Sequence, residues 1–132
     1  DAFQHWIYTN PEHNVEDRDN AWNGLLDRFG GGIDWGDYHA ARTKMWHRQS
    51  HIFLVPFYYI EYGIAQLGAL GVWNNSKSDR PKALADYKKA LALGGSRPLP
   101  ELFAAANIPF SFDTEAFKPL IELVQTELAA LK

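Results

Sequence analysis

The chain has 132 residues, 46% of them hydrophobic and 14% aromatic, which suits one folded domain with one core and excludes a disordered segment. Its net charge of −3, from 13 basic and 16 acidic residues of mixed placement, leaves no basic footprint for nucleic acid. With no cysteine there is neither a disulfide nor a thiolate metal site, a composition that fits a reducing cytoplasm and makes a cytoplasmic location the expectation.

Phe3, Trp6 and Ile7 recur at i, i+3 and i+4, so residues 2–9 read as the tail of a helix ended by Pro11. DAFQHWIYTN has no basic region followed by an apolar run, so it is not a secretory signal. It begins mid-pattern without methionine, and the expectation is a chain cut from something longer. Asn14 with Asp17 three residues later resembles a capping box, with Asp a weaker partner than Glu. Ala21, Trp22, Leu25, Leu26 and Phe29 then make one apolar face, and Gly30-Gly31-Gly32 stops that helix. A phosphate cradle is the weaker reading of the three glycines, because no Lys-Ser/Thr follows and no βαβ unit opens there.

IDWGD reads as a turn, and residues 37–54 as a helix with Tyr38, Ala41, Met45 and Ile52 turned inward. Pro56 disfavours helical geometry at Val55, so a break is expected there, with Pro56 in the first turn of a helix over 56–74 closed by Asn74-Asn75-Ser76. Gly63, Ala65, Gly68, Ala69 and Gly71 let neighbouring backbones come close to it. Asp79 caps the next helix, with Pro81 in its first turn and Ala83, Leu84, Tyr87, Ala90 and Leu91 on one face, and Gly94-Gly95 ends it. Pro100 starts a short helix through Ala106, NIPFSF is extended, and Asp113 or Thr114 caps the last helix. Phe117, Leu120, Ile121, Val124, Leu128 and Leu131 line that helix, and Pro119 predicts a kink or a later start. No strand and no internal repeat emerges, so the expected class is all-α, a multi-helix bundle.

The stretch His51–Trp73, HIFLVPFYYIEYGIAQLGALGVW, is apolar on nearly every side and must therefore be surrounded. Pro56, Glu61 and Gln66 oppose a transmembrane reading, and burial within protein is the expectation. It also holds His51 and three tyrosines, Tyr58, Tyr59 and Tyr62. On one helix Tyr59 and Tyr62 would lie about 60° apart, and Tyr58 and Tyr62 about 40° apart. Phenols gathered on one face point either into a cleft, where one can donate to an oxyanion, or into ordinary aromatic packing. His47 and His51 stand four apart in HRQSH, the outline of a helical zinc pair, but Arg48 stands where a water-activating glutamate is needed. His5 and His39 are isolated.

The same stretch, with DAFQHWIYTNPEH, LLDRFGGGIDW, KALADYKKALALGGSRPLPELFAAANI and the closing helix, resembles the oligoendopeptidase F family of thimet-oligopeptidase-like zinc metallopeptidases. The resemblance runs over nearly the entire chain and implies that residues 1–132 are the C-terminal helical part of a two-lobed, all-α catalytic domain that closes round short peptides. In that family an HExxH helix and a glutamate on the following helix hold zinc, and a later histidine and tyrosines contact the substrate and the oxyanion. The later element matches His51, Tyr59 and Tyr62, the gap after the histidine varies, and Tyr58 stays in reserve. The resemblance thus implies Tyr62 as the catalytic oxyanion donor and His51, Tyr59 and Tyr58 as substrate-binding residues. No HExxH occurs in the 132 residues, so the implied zinc belongs to the parent enzyme, its ligands lie outside this chain, and the chain alone is inert. Implied partners are an oligopeptide substrate and the missing N-terminal part of the same protein, with no nucleic acid and no membrane, and with self-association through exposed apolar surface. A free-standing, non-catalytic helical interaction module is the alternative.

Overall fold

The all-α expectation holds in a computed structural model, which describes residues 1–131 and has eight α-helices and no strand among them. The chain divides into two units, Asp1–Glu61 and Tyr62–Lys132. Among the described residues no helix is long and apolar enough to cross a membrane.

The first unit holds α1 (Ala2–Thr9), α2 (Val15–Phe29), α3 (His39–Thr43) and α4 (Ser50–Leu54). Its core forms around Phe3, 2% exposed, whose ring meets those of Trp22 and Trp46 at 5.3 Å each and Trp6 at 6.2 Å. The Asn14–Asp17 capping box closes in both directions, at 3.0 and 2.9 Å, and fixes where α2 starts. Gly31 and Gly32, with φ of 70° and 72°, supply the left-handed backbone that ends the helix, whereas Gly30 keeps φ at −80°. Trp22 Nε1 donates to the Arg42 carbonyl at 3.1 Å, and the Asn23 amide donates to the Thr43 hydroxyl at 3.0 Å, so α2 and α3 are pinned by polar contacts the apolar pattern did not announce.

The continuous helix expected over 37–54 is a correction. The segment is a 3₁₀ turn (Gly36–Tyr38), α3, a second 3₁₀ turn (Met45–Arg48) and α4, interrupted at Lys44 and Gln49. Tightening the chain to 3₁₀ geometry turns Trp46 inward against Phe3 and Phe53, and burying that indole outweighs regular helix. Tyr38 and Ala41, expected inside, are exposed.

The second unit contains most of α5 (Ile60–Ser78), whose opening residues Ile60 and Glu61 fall in the first unit, then α6 (Arg80–Ala92), α7 (Leu99–Ala105) and α8 (Thr114–Ala130). Helix α5 starts later than position 56 and runs past Asn74-Asn75-Ser76. Polar residues tolerate helix, and Asp79, which accepts from Lys82 N–H at 3.0 Å as the next cap, sets the real boundary. Of the glycines on α5, Gly71 is the one close packing requires, and Gly68 stands at a tight contact. A Cβ would lie 2.6 Å from Ile108 Cγ2 at Gly71 and 3.3 Å from Phe103 Cζ at Gly68. Gly94, with φ of 54°, ends α6, and the Asn107 carbonyl accepts from the Asn75 amide at 2.8 Å. The faces of α5, α6 and α7 leave an apolar cavity of about 550 Å³ between Gly68, Tyr87, Leu91, Leu102 and Phe103.

Asp113 caps α8, accepting from Ala116 N–H at 2.8 Å. The Ser111 hydroxyl, and after it the Ala116 N–H, hold its carboxyl below the usual carboxylate range. That cap is in place above the ordinary range and is lost as pH falls through the lowered value. Pro119 lies inside α8, so the later start does not occur; the helix forgoes one backbone bond there. The apolar stripe of α8 is only partly covered, with Ile121, Leu128 and Leu131 exposed.

The burial expected for 51–73 is also corrected. Of this stretch Gly71 is buried, while Phe53, Leu54, Val55, Phe57, Tyr58, Ile60 and Tyr62 are exposed. Uniform hydrophobicity shows what gains from burial, not what is present to provide it.

Candidate functional site

Pro56 breaks the helix as expected: α4 ends at Leu54, and Val55 leaves helical geometry with φ −141° and ψ 83°. The chain does not re-enter helix at once. It turns through residues 56–59, with Tyr58 N–H donating to the Val55 carbonyl at 3.2 Å and Glu61 N–H to the Tyr58 carbonyl at 3.0 Å. Phe57 takes φ of 60°, a left-handed conformation rare for a bulky residue.

Three side chains from α1 hold that turn. The Gln4 side chain, 1% exposed, accepts from Phe57 N–H at 3.1 Å and donates to the Ile52 carbonyl at 3.3 Å. The Phe57 ring packs on His5 at 4.7 Å and Tyr8 at 5.5 Å between centroids. The turn therefore stands at a fixed place relative to α4.

Across it, the His51 imidazole is flanked by two phenols. Tyr58 stacks on it at 5.3 Å with 17° between planes, and Tyr59 meets it edge-on at 5.0 Å and 67°. The Tyr59 hydroxyl also donates to the Gln49 carboxamide oxygen, at the residue where the second 3₁₀ turn ends. A neutral imidazole offers one donor and one acceptor, and each phenol oxygen both donates and accepts. An imidazole and two phenols in mutual contact can both donate and accept hydrogen bonds.

The structure thus brings together three of the four residues singled out by sequence: His51, Tyr58 and Tyr59. Their relation differs from the expected helical face. Tyr58 and Tyr59 lie in the turn, so the angular spacings to Tyr62 on a shared helix do not apply. Tyr62 lies in the first turn of α5, at the start of the second unit, and is 53% exposed. Sequence reasoning missed Gln4 and Gln49. The available signal was an amide beside Phe3 in a short apolar helix, where an unpaired polar group would be costly to bury.

HRQSH is not a helical zinc pair. His47 sits in the second 3₁₀ turn with its ring edge-on to Trp46 at 4.0 Å, and Gln49 interrupts the chain before His51 in α4. Among the described residues no group of three or more His, Cys, Asp or Glu side chains could hold a metal ion. These residues do not fit a catalytic zinc, which needs three protein ligands and an open position.

A family model described as Peptidase family M3 matches residues 1–118. Comparison with curated proteins and with solved structures gave no match.

Proposed function

The chain belongs to peptidase family M3, and we propose that it forms the peptide-gripping part of a zinc-dependent endopeptidase of oligopeptides, of the oligoendopeptidase F type. The observation that carries this reading is the contact of His51 with both Tyr58 and Tyr59 at one braced turn. Family membership narrows what such a trio grips: the backbone of a short peptide, with His51 and Tyr59 as its contacts and Tyr58 at the rim. Tyr62 is assigned as the donor to the oxyanion of the tetrahedral intermediate. The family is zinc-dependent in general. No HExxH occurs among the 132 residues, so this reading assigns the metal ligands and the water-activating glutamate to residues outside the chain.

The test is His51→Ala in the full-length, zinc-loaded protein, assayed on a fluorogenic oligopeptide. A lost ground-state contact raises KM about tenfold, the equivalent of ~1.4 kcal/mol, and leaves kcat within about twofold. Wild-type KM in that variant would remove His51 from the peptide site.

A further inference from the structure

The bond pattern of Gln4 points beyond the residues that touch substrate. We propose that Gln4 is a positioning residue: its carboxamide clamps Ile52 to Phe57 and so sets where His51, Tyr58 and Tyr59 stand toward the peptide. The proposal rests on the reading of that turn as a peptide-contacting element.

Ile52 follows His51 directly, and Phe57 directly precedes Tyr58. By donating to the Ile52 carbonyl at 3.3 Å and accepting from Phe57 N–H at 3.1 Å, Gln4 brackets the turn at the two backbone positions that orient the imidazole and the first phenol. It reaches them from α1, 48 and 53 residues away in sequence. Any buried amide needs a donor and an acceptor partner, and this one takes them from the two ends of the turn, where a hold is needed. The need arises from Phe57, whose left-handed backbone persists only when its surroundings over-determine it. The surroundings here are the Gln4 bond and the packing of the Phe57 ring on His5 and Tyr8, all from α1. Gln4 itself is buried and cannot reach a peptide, so it acts through the turn.

Two substitutions separate positioning from bulk. Gln4→Leu keeps most of the volume and removes both bonds. Gln4→Glu keeps both while protonated, since the acid O–H donates to Ile52 and the acid carbonyl accepts from Phe57. Once ionised it has no donor and sets an oxygen against the Ile52 carbonyl. His5, with Asp1 beside it, and Tyr8 against Phe57, His51 against Tyr58, and Tyr59 against His51 are titratable groups common to all variants, so the wild-type pH curve accounts for them.

The experiment uses the full-length, zinc-loaded protein with ¹³C-labelled histidine. It reads the His51 ring resonance, which Tyr58 shifts by its ring current, the near-ultraviolet signal of the tryptophan core, and KM and kcat on an oligopeptide. For Gln4→Leu the expected result is a displaced His51 resonance, a preserved tryptophan signal, KM raised about tenfold and kcat nearly unchanged. For Gln4→Glu, KM should match wild type at low pH and climb as the new carboxyl ionises, a slope that wild type lacks. An unmoved His51 resonance in Gln4→Leu overturns the proposal, as does a raised KM without that displacement. A displaced resonance with wild-type KM overturns the assignment of the turn to peptide binding instead. If Gln4→Leu loses the tryptophan signal, the Gln4→Glu series decides: a KM curve parallel to wild type overturns the clamp.

Discussion

Tyr62→Phe in the full-length, zinc-loaded enzyme is expected to lower kcat about 10²–10³-fold with little change in KM, the loss typical of one oxyanion donor. The substitution removes a single hydroxyl and keeps the ring. Tyr62 lies in the first turn of α5 and is half exposed, and a circular-dichroism spectrum and melting curve matching wild type verify that the variant keeps its fold. An interaction made only as charge develops on the carbonyl oxygen appears in kcat, whereas ground-state contacts such as those proposed for His51 and Tyr59 appear in KM. Steady-state kinetics on one fluorogenic oligopeptide reads both. Unchanged kcat in Tyr62→Phe contradicts the assignment, and a fall confined to Tyr58→Phe would move the donor role to the reserve tyrosine.

Phe3→Ala should destabilise the protein by about 3–5 kcal/mol, the cost of emptying a phenylalanine-sized space in a packed core. Phe3 is the ring on which Trp6, Trp22 and Trp46 converge, so its removal strips a neighbour from each. Against a typical domain stability of ~5–15 kcal/mol this is a large fraction. Urea unfolding followed by tryptophan fluorescence measures it, because Trp6, Trp22, Trp35 and Trp46 all lie within Asp1–Glu61. Phe3 neighbours Gln4 on α1, so the variant should loosen the Phe57 turn as well. A loss below about 1 kcal/mol would mean the indoles close over the space, and the core would not depend on this ring.

What the sequence made legible was local. Asn14 with Asp17, Asp79 and Asp113 mark helix starts because a cap is settled by a few neighbouring atoms, and Gly31 and Gly94 mark ends because few other residues take left-handed backbone cheaply. What stayed hidden depends on distant partners. Whether residues 45–48 are α or 3₁₀ is decided by what Trp46 gains against Phe3, more than forty positions away. Pro56 announced a break but not its shape, since a left-handed Phe57 is unfavourable by itself and exists because Gln4 and two rings of α1 hold it. The site followed the same division. Spacing alone left His51, Tyr58, Tyr59 and Tyr62 open to ordinary aromatic packing, and the family resemblance singled them out as candidates, while the turn that gathers three of them, and the amides of Gln4 and Gln49 that brace it, came from tertiary structure.

The central claim is that the turn after α4 grips the backbone of an oligopeptide. Its most direct test is a structure of the full-length protein with a non-hydrolysable oligopeptide analogue bound. The account predicts peptide N–H and C=O groups within hydrogen-bonding reach, about 2.7–3.2 Å, of the His51 imidazole and the Tyr59 oxygen. A bound analogue that leaves both side chains without peptide contact would contradict it.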